Sequence, residues 1–123
     1  MNLLSIDYGS KRVGLALSVK GIISPLKTIS NDKSLISVIK ALSRQHRVDR
    51  IYVGISEGKF ADITKLFVGQ LKNSTPIPII TVEEAVSTIE ADEIFKNNRS
   101  KQKNYKKRID SIAAAVILSR VQV

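Results

Sequence analysis

Asp7 closes a short apolar run, Leu3-Leu4-Ser5-Ile6, and opens the segment Asp7-Tyr8-Gly9-Ser10-Lys11-Arg12-Val13-Gly14-Leu15-Ala16-Leu17-Ser18. A carboxylate inside strand-like apolar sequence is costly to desolvate unless a cation or hydrogen-bond donors compensate it. Two more acids have comparable settings. Glu84 follows Ile77-Pro78-Ile79-Ile80-Thr81-Val82, and Asp110 sits at the start of Ile109-Asp110-Ser111-Ile112-Ala113-Ala114-Ala115-Val116-Ile117-Leu118. Carboxylates at element edges, far apart in sequence, suit one folded site for a hard divalent cation. Mg²⁺ takes oxygen ligands and keeps several waters, so a few carboxylates plus substrate phosphates suffice, with Mn²⁺ as a substitute. A pair of such ions can activate water and stabilise the leaving oxygen of a phosphodiester. Each acid also has a structural reading. Asp110 suits the first turn of a helix by its dipole, and Glu84, beside Glu83, suits a solvated loop. Asp7 is the hardest to explain that way.

A basic segment directly precedes Asp110. Residues 96–108 hold seven Lys and Arg and no acid. Arg99, Lys101, Lys103, Lys106, Lys107 and Arg108 would hold a phosphate backbone, and Tyr105 would stack on an exposed base. Lys11 and Arg12, in the first turn, are further candidates for phosphate contact. The whole chain carries 20 Lys and Arg against 11 Asp and Glu, a formal charge of +9. That balance favours a polyanionic partner, nucleic acid before an acidic membrane surface.

Other chemistries lack parts. There is no Cys, hence no disulfide and no thiolate zinc site. The one His, His46, stands near Arg44 and Arg47 at the end of a helical pattern and reads as a surface residue. No GxGxxG and no Walker lysine loop is present. With no signal-like start and no apolar run near the ~20 residues that span a bilayer, the expectation is a soluble, cytoplasmic protein without a membrane partner. It would be a monomer or a weak homodimer.

The elements that must position these acids follow from periodicity. At 123 residues, one domain over 1–123 is expected. Residues 2–8 read as a strand. Residues 12–19 read as a second, with Val13, Leu15 and Leu17 alternating against Gly14, Ala16 and Ser18. Lys20-Gly21 turns the chain into a third strand over about 22–30. Leu35, Val38, Ile39 and Leu42 then recur at helical spacing, with Asn31 or Asp32 as cap. Ile51–Ile55 reads as a buried strand. A helix over about 61–73 carries Ile63, Leu66, Phe67 and Leu71. Another strand spans 77–82, with Pro76 and Pro78 placing its start at an edge. Ser87-Thr88-Ile89-Glu90 matches a capping box, which starts a helix near Thr88. A last helix over about 107–120 buries Ile109, Ile112, Ala113, Val116 and Ile117. The fold class is α/β: a five-stranded mixed sheet, three antiparallel strands then two parallel, with helices on both faces. Sites in such sheets form beyond the carboxyl ends of parallel strands.

Four blocks, taken in order, resemble the YqgF/RuvX-like family: Asp7 to Ser18, Val53-Gly54, Glu83-Glu84-Ala85-Val86-Ser87-Thr88, and Asp110-Ser111-Ile112-Ala113-Ala114. The resemblance spans nearly the whole chain. It implies a ribonuclease H-like fold and Mg²⁺-dependent phosphodiester hydrolysis with water as nucleophile. The substrates it implies are Holliday junctions or the 5′ end of pre-16S ribosomal RNA. Asp7, Glu84 and Asp110 match the family's acids and would be both catalytic residues and metal ligands. The chain departs from the pattern where Glu83 replaces an Asp, Ala85 an Arg, Ser56 a Pro and Val19 an Asp. Losing the Arg removes a bidentate phosphate contact. Two other functions compete with the nuclease. One is an inactive, ribosome- or RNA-associated binder of nucleic acid. The other is an actin-like ATPase or sugar kinase, which needs two domains where this chain has room for one.

Overall fold

The computed structural model describes residues 1–55, 58–83 and 105–121; over 105–111 only the backbone is described. The first strand, β1 (Leu3–Tyr8), pairs antiparallel with β2 (Arg12–Val19) from Leu3↔Ser18 to Tyr8↔Val13. Lys20 and Gly21 both take positive φ, 54° and 79°, which makes the two-residue hairpin turn the sequence signals. The strand expected over 22–30 is broken into β3 (Ile22–Pro25) and β4 (Ile29–Ser30), both antiparallel to β2. Pro25 does not end the ladder, since Leu26 N still donates to the Leu15 carbonyl at 2.8 Å; the break is a one-residue shift of register, from Ala16↔Pro25 to Val13↔Ile29.

Helix α1 (Leu35–Gln45) follows, then β5 (Arg50–Ile55), α2 (Lys59–Ser74), β6 (Ile79–Glu83) and α3 (Tyr105–Val121). β5 lies parallel to β1, and β6 parallel to β5. The sheet order is β3-β2-β1-β5-β6, with β4 also on β2. The sheet is thus mixed as expected, with the third strand counted as two. The capping-box helix near Thr88 falls outside the described residues.

Strand alternation sends large aliphatics to one face and small residues to the other. Leu4, Ile6, Val13, Leu15, Leu17, Ile51 and Val53 pack beneath Leu35 and Ile39 of α1 and Phe67, Val68 and Leu71 of α2. On the opposite face Leu3, Ala16 and Tyr52 meet Ala114, Ile117 and Leu118 of α3. Helices therefore cover both faces, and residues 13–18 of β2 are buried without a gap.

Two local expectations change. Asn31 and Asp32 do not cap α1, whose N-cap residue is Ser34; Asp32 instead accepts hydrogen bonds from Ser34 N (2.9 Å) and Ser34 Oγ (2.5 Å). Those bonds hold the Asp32 carboxyl below its ordinary pKa. On α2 the buried residues are Thr64, Phe67, Val68 and Leu71, while Ile63 and Leu66 are 49% and 70% exposed. Phe67, Val68 and Leu71 pack into the core against the sheet, and the Tyr8 ring stacks on Phe67 at 4.3 Å and on Phe60 at 5.9 Å between centroids.

Among the described residues no helix is long and apolar enough to cross a membrane.

Candidate functional site

Asp7 is the next-to-last residue of β1, at the carboxyl end of the parallel strands, and is half-buried. Its register partners are Gly14 on β2 and Gly54 on β5. Directly paired residues project to the same face. The Asp7 carboxylate is therefore flanked on both sides by strand positions without a side chain. By alternation it shares its face with Ser5, the face covered by α3.

Helix α3 is tied to that face at a defined point. The buried Ser5 hydroxyl donates to the Ala114 carbonyl at 2.6 Å. Asp7 lies two residues beyond Ser5 on the strand, about 7 Å. Asp110 lies one helical turn before Ala114, about 6 Å along the axis. Its backbone is thus in a helix on the Asp7 face of the sheet. Ala113, Ala114 and Ile117, its neighbours at helical spacing, are all buried.

Glu84 lies outside the described residues. The chain is described up to Glu83, which pairs with Ile55 at the carboxyl end of β6. A second tie joins α3 to this strand end: Arg120 Nη1 donates to the Glu83 carbonyl at 3.2 Å. Among the described residues there is no group of three or more acids and histidines that could hold a metal; of the three candidate acids, only the Asp7 side chain falls within that search.

The basic candidates divide. Lys11 and Arg12 are exposed around the β1–β2 turn. Arg99, Lys101 and Lys103 lie outside the described residues. Tyr105, Lys106, Lys107 and Arg108 form the first turn of α3, so this part of the expected basic loop is helical. His46 is half-buried rather than a plain surface residue. It caps the end of α1, and its carbonyl accepts from Asn2 Nδ2 at 2.8 Å.

The family model described as "RuvX: Holliday junction resolvase" matches residues 1–121. The chain belongs to this family. A relative from Sulfurihydrogenibium sp., named "Putative pre-16S rRNA nuclease", is 36% identical over 126 residues, covering 94% of this chain and 86% of its own. Among solved structures, T. thermophilus RuvC in complex with a Holliday junction substrate superposes with a TM-score of 0.62 at 12% identity, over 98% of this chain and 96% of that one. The fowlpox virus Holliday junction resolvase gives 0.56 at 18% identity, over the full length of both. At such identities the likeness is one of fold, and the fold is the ribonuclease H-like one.

For this RuvX chain, sequence reasoning passed over Ser5 and gave Asn31 the wrong task. The Asn31 side chain donates to the Gly9 carbonyl at 2.7 Å and its main-chain N to the Lys11 carbonyl at 2.9 Å, both in the turn that follows Asp7. Residue type carries no such signal. The pairing of β4 with the start of β2 creates it.

Proposed function

We propose that the chain is a metal-dependent endonuclease of structured nucleic acid, acting in the cytoplasm as one domain over residues 1–123. The position of Asp7 carries this reading: a half-buried carboxylate at the carboxyl end of the central strand, between two glycines, in a member of the RuvX family. Asp7, Glu84 and Asp110 are the proposed catalytic residues and metal ligands. The fit rests on their chemistry, an all-oxygen donor set, and on the place of Asp7 between Gly14 and Gly54 at the carboxyl end of β1. Mg²⁺, or Mn²⁺ in its place, supplies Lewis-acid stabilisation of the charge that develops on the phosphodiester.

The chain's own residues bind and orient the substrate. Lys11, Arg12 and the basic residues from Arg99 to Arg108 contact backbone phosphates, and Tyr105 stacks on a base. If about five of these charges reach phosphates, log K falls with log salt at a slope near −4 to −5. The names of sequence relatives support pre-16S ribosomal RNA as the first substrate, processed on this reading at its 5′ end, with four-way junction DNA as the second. A second reading, binding without cleavage, is motivated by Ala85 where the family's motif has an Arg.

One experiment separates the readings. Purified protein is incubated with a 5′-extended pre-16S fragment and with a four-way junction, in Mg²⁺ and in Mn²⁺, beside Asp7→Asn. The nuclease reading expects RNA cleavage by the natural chain and none by the variant. Equal cleavage by both removes Asp7 from the chemistry. Binding without cleavage under every condition favours the second reading.

A further inference from the structure

The β1–β2 turn is held more tightly than a solvent-exposed connection needs. A Cβ on Gly9 would lie 2.3 Å from the Arg12 carbonyl oxygen, so the turn closes on itself where only glycine fits. Strand β4 pairs with the start of β2, Arg12 opposite Ser30 and Val13 opposite Ile29. Asn31, the residue after β4, then bonds two carbonyls of the turn, Gly9 O through Nδ2 and Lys11 O through its main-chain N. In a planar trans peptide the N–H points opposite to the C=O. Fixing these two carbonyls on Asn31 therefore turns the amides of Ser10 and Arg12 to the other side of the turn. The side chains of Ser10, Lys11 and Arg12 are exposed, whereas Asn31 is half-buried. A clamp that uses two donors of one half-buried residue, beneath a turn offering two cations, fits an anion-binding element shaped before its ligand arrives.

We infer that Asn31 is a positioning residue for substrate: it fixes the turn so that Lys11 and Arg12 engage one backbone phosphate of the nucleic acid. The inference rests on the nucleic-acid reading above and adds a residue outside the acid set. Its action is on binding, through Lys11 and Arg12, and not on the bond that breaks.

The test measures binding without turnover. Anisotropy of a fluorescein-labelled RNA hairpin is followed against salt, in EDTA, for the natural chain, Asn31→Ala, Arg12→Ala and the double variant. Asn31→Ala is expected to weaken binding threefold to tenfold, about the cost of ordering one or two long side chains. It is also expected to lower the salt slope by about one. In the Arg12→Ala background the same change should add less than twofold, because both act on one contact. Cleavage kinetics, where the natural chain cleaves, should show a raised KM with kcat within about twofold. A variant that melts earlier but keeps the Kd and salt slope makes Asn31 merely structural and overturns the inference. Full additivity with Arg12→Ala overturns it as well. Should Asn31→Ala fail to fold, Asn31→Leu keeps the shape without the donor and is read by the same criteria. A natural chain that binds the hairpin yet cleaves neither substrate sinks the nuclease reading and leaves the positioning test standing. One that does not bind at low salt sinks both.

Discussion

The two faces of one sheet are built to different rules. Toward α1 and α2, the central strands present Leu4, Ile6, Val13, Leu15, Ile51 and Val53, all fully buried. Toward α3, the same strands present Ser5, Asp7, Gly14, Ala16, Ser18 and Gly54, relieved by Leu3 and Tyr52. The first face removes large apolar area from water, at roughly 25 cal/mol per Å². The second gives up area, and with it that stabilisation, for close approach. Small side chains let a helix rich in alanine lie near the strands, and two of those positions, Gly14 and Gly54, flank a carboxylate. If Asp7 acts as proposed, stability and chemistry fall on opposite sides of the same strands, residue by alternate residue.

Crossing the two faces is the strongest way to break this contrast. Asp7→Asn should reduce cleavage by more than about 100-fold, since even residues one contact removed from a metal ligand commonly cost 10–100-fold. Its melting temperature should stay level or rise. Leu15→Ala, on the other face, should cost about 2–5 kcal/mol in urea unfolding, with the cleavage rate of the folded fraction retained. If Asp7→Asn instead unfolds the chain, the division of labour fails. A change that imports the rule of one face into the other comes next. Ala114→Leu adds bulk at a fully buried point of the α3 contact and should cost about 1–3 kcal/mol by overpacking. It should also lower cleavage, because α3 carries Asp110. Ser5→Ala sharpens the comparison more gently. It removes a hydrogen bond worth about 1 kcal/mol, and the Ala114 carbonyl keeps its place in the helix. Urea midpoints measure both. The smallest effect concerns pH and lies away from both faces. The folded-state pKa of Asp32 is depressed, so its contribution is complete above the unfolded value of 3.8 and is lost as pH falls through the lower folded value. Asp32→Asn should therefore narrow the stability difference between pH 6 and pH 3 by a small amount, read as a shift in urea midpoint.

Much of the architecture was legible in the chain, and the failures have physical causes. The bounds of β2 follow from alternation because both of its faces are covered, so every position from Val13 to Ser18 reports burial. The third strand reads as continuous because its composition is strand-like throughout, and composition does not show the one-residue shift of register between Pro25 and Ile29. The buried side of α2 was misjudged at Ile63 and Leu66. Helical spacing allows either side of that helix, and packing against the sheet selects the side of Thr64, Phe67 and Val68. The carboxylate of Asp7 stood out because a charge in apolar sequence needs a reason. Asn31 did not, because its partner lies 22 residues earlier and only the fold brings them together. Residue type announces an exception to the hydrophobic pattern; it does not announce which backbone a side chain will hold.

The split between β3 and β4 has a consequence beyond the count of strands. Among the described residues these two pieces form the outer border of the sheet beside β2, four residues ending at Pro25 and then two. A long, flat border would offer a continuous row of main-chain groups to a second chain and so invite growth into fibres. Here the row is interrupted at a proline, and no incoming strand finds more than a few matching groups before the ladder stops. Replacing Pro25 would mend that border, and the cost would be expected as slow loss of material at high concentration, in a protein whose fold and melting point are unchanged.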